Sequence, residues 1–255
     1  MITVITGASA GIGAAAATRL SALGHEVVLV GRDTTRLKAV AAGLSGPKAE
    51  VLTCDFTSLD DVRRLAEALR GRYERIDVLA NNAGVLSKPR QVTGDGHELM
   101  FQVNHLAPFL LTHSLTDRLD RVVTTTSMAG NTGRLDPGDL SRERRRWNAW
   151  LQYGDTKQAN MLFTQALATR GVHATCFHPG VIRTGFAGDT LLMRFYLAVP
   201  GVAKPPETGA RTLVRLAASA GEPGRYYVKD KPARGRTDPG LAERLWAASL
   251  SAIGG

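Results

Sequence analysis

"MITVITGASAGIG", residues 1–13, decides how the rest of the 255-residue chain is read. The first six residues are rich in Ile, Val and Thr and make a short strand. A turn with three glycines follows, and then AAAATRLSAL, a good helix former. A glycine turn between a strand and a helix lets the backbone pass close to a pyrophosphate seated on the helix N-terminus. The spacing here is GxxxGxG rather than GxGxxG. A glycine-rich turn alone is weak evidence, and its strand-turn-helix setting strengthens it. A tight turn with no ligand is the other reading.

Outward from this unit the pattern repeats. Strands are expected at HEVVLV (25–30), AEVLTC (49–54), IDVLAN (76–81), RVVTTTS (121–127) and VHATCFH (172–178). Helices are expected at 34–44, 60–73, 96–119 with a kink at Pro108, and 152–170. The tail adds a helix near 207–219 and a short strand at 224–228. Strands alternating with helices specify an α/β fold: a Rossmann-type, doubly wound parallel sheet with helices on both faces. Length and the lack of a linker make residues 1–255 a single domain. Segment 130–152 is polar and turn-rich and reads as an insert.

Composition narrows the function classes. Hydrophobic content of 44% with 22% charged residues describes a water-soluble globular chain. Met1 is followed at once by a strand, and no run of about 18 apolar residues occurs, so neither a targeting segment nor a stable membrane insertion is expected. A cytoplasmic location follows. Cys54 and Cys176 sit in apolar runs and read as reduced core thiols, with no metal site between them. The net charge of +9 raises nucleic acid as a partner. Much of that excess is local, in RERRR (142–146), which reads as a solvated face. No aromatic platform beyond Trp147 and Trp150 interleaves the charge, so no nucleic acid is expected.

In a doubly wound sheet, ligands bind at the carboxyl ends of the strands. Strand two ends in Gly31-Arg32-Asp33. An NAD site often has an acid here for the ribose 2′-hydroxyl, whereas arginine suits a 2′-phosphate. NADP(H) is therefore preferred and NAD(H) stays open, because Asp33 follows; Asp33 can equally cap the next helix. Asp55 ends strand three, and Asn81-Asn82-Ala83-Gly84 ends strand four. Either could line an adenosine or serve as turn chemistry. Ser127 ends strand five, placed either to donate to a substrate oxygen or to make a turn. His178 ends strand six and reads as a turn histidine. Tyr153 and Lys157 in YGDTK (153–157) are four apart and share one helix face.

The ordered set TGASAGIG (6–13), Asp55, NNAG (81–84), Asn104, Ser127, YGDTK (153–157) and HPGVIRT (178–184) resembles the short-chain dehydrogenase/reductase family over the whole chain. VNHLAPFLLT (103–112), QANMLFTQALA (158–168), TGARTL (208–213) and GRYY (224–227) are similar to its retinol dehydrogenase-like branch. The resemblance implies an enzyme that moves a hydride between NADP(H) and a carbonyl or alcohol. Tyr153 would be the general acid and base, and Lys157 would hold the nicotinamide ribose and lower the tyrosine's pKa. Ser127 would polarise the carbonyl oxygen, and Asn104 would support a proton-relaying water. Gly7, Ser9, Gly11, Ile12 and Gly13 would cradle the pyrophosphate. Arg32 would meet the 2′-phosphate, Asp55 the adenine, and Asn81, with Ala83 and Gly84, the adenosine side. Pro179, Gly180, Val181, Ile182 and Thr184 would meet the nicotinamide.

Segment 185–205 would be a substrate lid, and its Phe186, Leu191, Leu192, Met193, Phe195, Tyr196 and Leu197 suggest a lipophilic substrate; packing on the body is the other reading. A homo-oligomer through the long helices is the family-based expectation. A non-catalytic NADP(H) sensor or scaffold on the same fold is the alternative function. The presence of Asn104, Ser127, Tyr153 and Lys157 argues against it.

Overall fold

The computed structural model describes residues 1–182 and 204–254. Its centre is one eight-stranded sheet: β1 (Ile2–Thr6), β2 (Glu26–Gly31), β3 (Glu50–Thr53), β4 (Val78–Asn81), β5 (Arg121–Thr125), β6 (His173–His178), β7 (Tyr226–Val228) and β8 (Lys231–Ala233). The order is β3-β2-β1-β4-β5-β6-β7-β8. All neighbours are parallel except the last pair, a hairpin. Strand order reverses between β1 and β4, so the crevice for a ligand opens beyond Thr6 and Asn81.

The strands are apolar on both faces because both are covered. Val4, Val28, Val30, Leu79 and Val122 enter one core, and Ile5, Val27, Leu29, Val78 and Val123 enter the other. Helices α1 (Gly11–Ala22) and α2 (Thr34–Ala42) serve the second core. Helix α3 (Leu59–Arg72) serves the first through Val62, Leu65 and Leu69. Ser58 caps α3, with Asp60 and Asp61 in its first turn and Arg70 and Arg72 in its last, in keeping with the helix dipole.

The helix expected over 96–119 is four pieces, the last a 3-10 turn at Thr116–Arg118. After α4 (Leu99–Phe101) the backbone is π-helical over Gln102–Leu106, and then α5 (Ala107–Leu115) begins. Ala107 N–H donates to Gln102 O, five residues back. The distortion thus lies one turn before Pro108. Pro108 has no N–H to give the Asn104 carbonyl four residues earlier.

Helix α6 (Ala149–Thr169) begins three residues before its expected start, because Asn148 caps it by accepting from Leu151 N–H. After α7 (Pro206–Ala218), the hairpin β7–β8 and α8 (Pro239–Ala252) complete the described chain. Strand β8 and α8 were not anticipated. The signals for α8 were present: Asp238 caps it and Pro239 opens it.

The arginine-rich insert is only in part the solvated face that its composition suggested: Glu143, Arg144 and Arg146 are exposed, and Arg142 and Arg145 are not. Arg142 is buried and pairs with the buried Asp155 at 2.8 Å, and Arg145 pairs with Asp139 at 2.9 Å and with Asp155 at 3.3 Å. A run of like charges reads as solvated only while its counter-charges are out of view, and these come from elsewhere in the fold.

Candidate active site

The carboxyl ends of β1, β4 and β5 are tied together by two small polar side chains. Thr6 Oγ1 donates to Ala80 O and accepts from the amides of Asn82 and Ala83. Asn82 Nδ2 donates to Thr6 O at 3.0 Å, and its Oδ1 accepts from Thr125 Oγ1. Sequence reasoning named Asn81 and passed over Asn82; a second polar residue just past a buried strand was the available signal. The Asn81 side chain turns away from the crevice and donates to Thr112 Oγ1 at 2.9 Å. What Asn81 can offer a ligand is its backbone.

The glycine loop fits a pyrophosphate. Gly7 has φ +67°, and a Cβ there would stand 2.9 Å from the Ala83 Cα. A Cβ on Gly13 would lie 2.3 Å from Gly7 O and 2.8 Å from Asn82 Nδ2. The loop therefore folds back on itself with no side chain between, and no side chain of Ala10 caps the first amides of α1, which a bound anion could take up. Gly11 and Ile12 open that helix, and Ser9 lies beside Gly31, whose Cβ would sit 3.8 Å from Ser9 Oγ. Ile12 and Ile182 converge on Gly209 at the start of α7, where a Cβ would lie 3.1 Å from one and 2.8 Å from the other.

At the β2 end, Asp33 is committed to capping α2. It accepts from Arg36 N–H at 3.0 Å and pairs with the Arg36 guanidinium at 3.2 Å. Arg32 is exposed and, among the described residues, makes no ion pair or hydrogen bond. Asp55 accepts from the Thr57 amide and hydroxyl through Oδ1. On the other side, Gly180 takes φ +93°, Val181 is exposed, and Val181 O accepts from Lys204 N–H. Pro179, Ala83 and Gly84 are half-buried around the same opening. Thr184 and residues 185–203 of the expected lid lie outside the described residues.

The catalytic candidates converge. Ser127 follows β5, accepts from Ala129 N–H at 3.2 Å, and lies near enough to Tyr153 for its hydroxyl to favour the phenolate. Lys157, one turn further along α6, is buried, with Nζ 5.6 Å from the centre of the Tyr153 ring and 3.2 Å from Thr125 O, to which it donates. Burial pushes the phenol up to about 12, and the nearby Ser127 hydroxyl pulls it the other way. Burial also lowers the Lys157 ammonium to about 8. The expected downward pull of Lys157 on the tyrosine is thus not the dominant effect; loss of water around both groups is.

Asn104 lies in the π-helical stretch, a common location for functional residues. Its side chain is spent: Oδ1 accepts from Val85 N–H at 2.7 Å, and Nδ2 donates to Val85 O and Thr156 Oγ1. Its main-chain carbonyl, which Pro108 cannot engage, is what it can offer a water. Among the described residues no cluster of His, Cys, Asp and Glu could hold a metal. Cys54 and Cys176 are free and buried, and burial raises both thiols to about 12.

A serine and a tyrosine set side by side, with a buried lysine next to them, can polarise an oxygen and exchange a proton with it. This group stands at the carboxyl ends of the strands, where ligands bind in a doubly wound sheet. Comparison with known proteins agrees. The family model for the short chain dehydrogenase matches residues 1–193. A Streptomyces sp. (strain C5) protein provisionally named daunorubicin C-13 ketoreductase DnrU is 43% identical over 98% of this chain and 92% of its own. Human retinol dehydrogenase 13 is 35% identical over 98% of this chain and 84% of its own. A short-chain dehydrogenase from Burkholderia cenocepacia J2315, solved in complex with NADP, aligns with a TM-score of 0.66 at 25% identity, over 84% of this chain and 89% of that one. The sheet order, the glycine cradle, the convergent Ser127, Tyr153 and Lys157, and these relatives lead to one conclusion: the chain belongs to the short-chain dehydrogenase/reductase family, in its retinol dehydrogenase-like branch.

Proposed function

We propose that the protein is an NADP(H)-dependent reductase of lipophilic ketones or aldehydes, able to run in reverse on the alcohols. The observation that carries this reading is the convergence of Ser127, Tyr153 and Lys157 beside exposed apolar side chains. Met128 follows Ser127, Trp150 and Leu151 precede Tyr153, and Val181 follows the β6 turn; all four are among the few large hydrophobic residues left exposed. Trp150 stands edge-on to the Tyr153 ring, 6.5 Å between centres. Exposed apolar groups beside a polar catalytic pair favour a substrate that presents a carbonyl on an apolar body.

When bound, the nicotinamide supplies the hydride. The other tasks fall to the chain. Ser127 and Tyr153 together hold the substrate oxygen, and Tyr153 gives it a proton. A phenol held at about 12 is fully protonated near neutrality and suits the reducing direction. Lys157 carries the positive charge that steadies the phenolate left behind. Arg32, free of carboxylate partners among the described residues and with Asp33 engaged elsewhere, would hold a 2′-phosphate, which supports NADP(H) over NAD(H). Among the described residues no helix is long and apolar enough to cross a membrane, and the proposal places the enzyme in the cytoplasm. The first relative's name supports ketone reduction, and the second's supports a lipophilic substrate.

The test is a panel of lipophilic ketones and aldehydes with NADPH and NADH in parallel, run on the wild type and on Tyr153→Phe. The variant should bind NADPH as before and turn over at least about 100-fold more slowly. Unchanged turnover would remove Tyr153 from the mechanism. Tight NADPH binding with no activity across the panel would favour the sensor reading.

A further inference from the structure

We infer that Asp155, gripped by Arg142 and Arg145 of the insert, is a positioning residue that sets the loop carrying Ser127 against the helix carrying Tyr153. The inference rests on the catalytic reading of that pair. Asp155 lies two residues after Tyr153 and two before Lys157. At about 100° per residue it therefore faces away from them, on the back of α6. Its carboxylate joins two separate segments to that back. Oδ1 accepts from Arg134 N–H at 2.7 Å, in the chain that runs on from Ser127. Oδ2 accepts from Arg142 Nη2 at 2.8 Å and from Arg145 Nη1 at 3.3 Å.

The Ser127 loop has no slack against the helix. A Cβ on Gly130 would lie 2.8 Å from the Lys157 carbonyl, and one on Gly133 2.7 Å from Gly154 O. Thr126 Oγ1 donates to Lys157 O at 2.8 Å, and Leu135 N–H donates to Gln158 Oε1 at 3.0 Å. Backbone thus rests on backbone along one full turn of α6, and Asp155 closes the far end of that contact.

The two guanidinium groups are themselves built into place. Arg142 is 6% exposed and takes φ +49°, a left-handed conformation that a non-glycine residue keeps only where its surroundings dictate it. Asp139 dictates it: the carboxylate accepts from the amides of Glu143, Arg144 and Arg145 and from Arg145 Nε. Burial works to raise the Asp139 carboxyl, yet these donors together hold it below the ordinary carboxylate value. A displacement of about 1 Å between catalytic groups can lower turnover about 100-fold, so a brace on the back of α6 acts on the chemistry at its front.

The experiment compares Arg142→Met, Asp155→Asn and their combination with the wild type, using the carbonyl substrate of the panel and NADPH. Each single variant is expected to lower kcat about tenfold or more, measured well below its own melting transition, with the NADPH dissociation constant within about twofold. The double variant should be no worse than the weaker single one, because the two act as a unit. Arg142→Lys, which restores a cation, should recover part of the loss. A kcat within about twofold of wild type in both single variants refutes the brace. So does a loss of kcat matched by an equal loss of NADPH affinity, which is what a general loosening would give. If Arg142→Met does not fold, Asp155→Glu, which keeps the charge and moves it by one methylene, decides by the same split. Tyr153→Phe runs alongside: turnover kept there removes the catalytic reading itself, whereas turnover lost there and intact in Arg142→Met removes only the brace.

Discussion

Replacing Lys157 by methionine should make the protein inactive and, at neutral pH, more stable. Burial lowers the Lys157 ammonium from 10.5 to about 8, a shift of about 2.5 units. At about 1.36 kcal/mol per unit, holding the charge in the folded state is unfavourable by about 3 kcal/mol. Methionine fills much of the same volume without the charge and loses the hydrogen bond to Thr125 O, worth about 1 kcal/mol. The net expectation is a gain of about 2 kcal/mol at pH 7. In a chain of this size that raises Tm by about 4–8 °C. The pH dependence identifies the cause. The folded pKa lies below the unfolded one, so between about 8 and 10.5 the unfolded chain binds more protons than the native one. Wild-type stability from this group therefore rises with pH across that window. Lys157→Met lacks that rise, and its advantage should shrink and vanish as pH passes through the window. Thermal and urea unfolding of both proteins, without added nucleotide, at several pH values from 7 to 10 measures this. A variant less stable than wild type at pH 7, or a difference that does not change with pH, would refute the view that Lys157 is held charged against its environment.

Three further outcomes are expected. Arg32→Ala should weaken NADPH binding about tenfold and leave NADH within about twofold, read by nucleotide fluorescence titration; equal losses for both would sink the 2′-phosphate assignment. Gly13→Ala puts a methyl group 2.3 Å from Gly7 O, so it should abolish tight nucleotide binding and lower stability by about 1–3 kcal/mol in urea unfolding; unaltered affinity would show that the loop is not the cradle. His105 is fully buried between Asn160 Oδ1 and Ser249 Oγ, and burial lowers it to about 4 despite the bond to Asn160. Its contribution of about 3 kcal/mol is present above the unfolded value of 6.5 and is lost as pH falls towards 4, so His105→Gln should flatten the acid limb of a stability profile between those values; an unchanged limb places the acid sensitivity elsewhere.

The parts of the site that were legible in the sequence are those in which local chemistry dictates geometry. Strand-glycine-helix spacing fixed the cradle because only glycine tolerates the φ at Gly7 and the approach at Gly13. Tyr153 and Lys157 were legible because a helix puts i and i+4 on one face. Asp33 was correctly left ambiguous, and the structure settles it as a cap. Two arginines of the insert, Arg142 and Arg145, were misread for a physical reason. RERRR lacks balancing charge within itself, and its partners are Asp139 ahead of it and Asp155 on the next helix, a pairing that exists only after folding. The π-helical stretch at Gln102–Leu106 was equally out of reach. Pro108 signalled a break, but a helix relieves strain over a whole turn, and the place where it does so depends on packing.

The unanticipated α8 bears on how copies of this chain meet. The family-based expectation is association through the long helices. Here the outward face of α5 and α6 already has an occupant. Leu241, Ala242 and Leu245 of α8 enter the core with Phe109 and Phe163, and Ser249 reaches the buried His105. Trp246 packs edge-on to Phe109, with Arg170 stacked 3.9 Å over its ring and paired with Glu243. A second copy could use that face only by displacing α8, exposing this aromatic cluster and breaking the His105–Ser249 bond. A terminal helix of the same chain is present at an effective concentration that a free partner does not reach at ordinary protein levels. Among the described residues, the long-helix face is thus satisfied in good part by the chain itself.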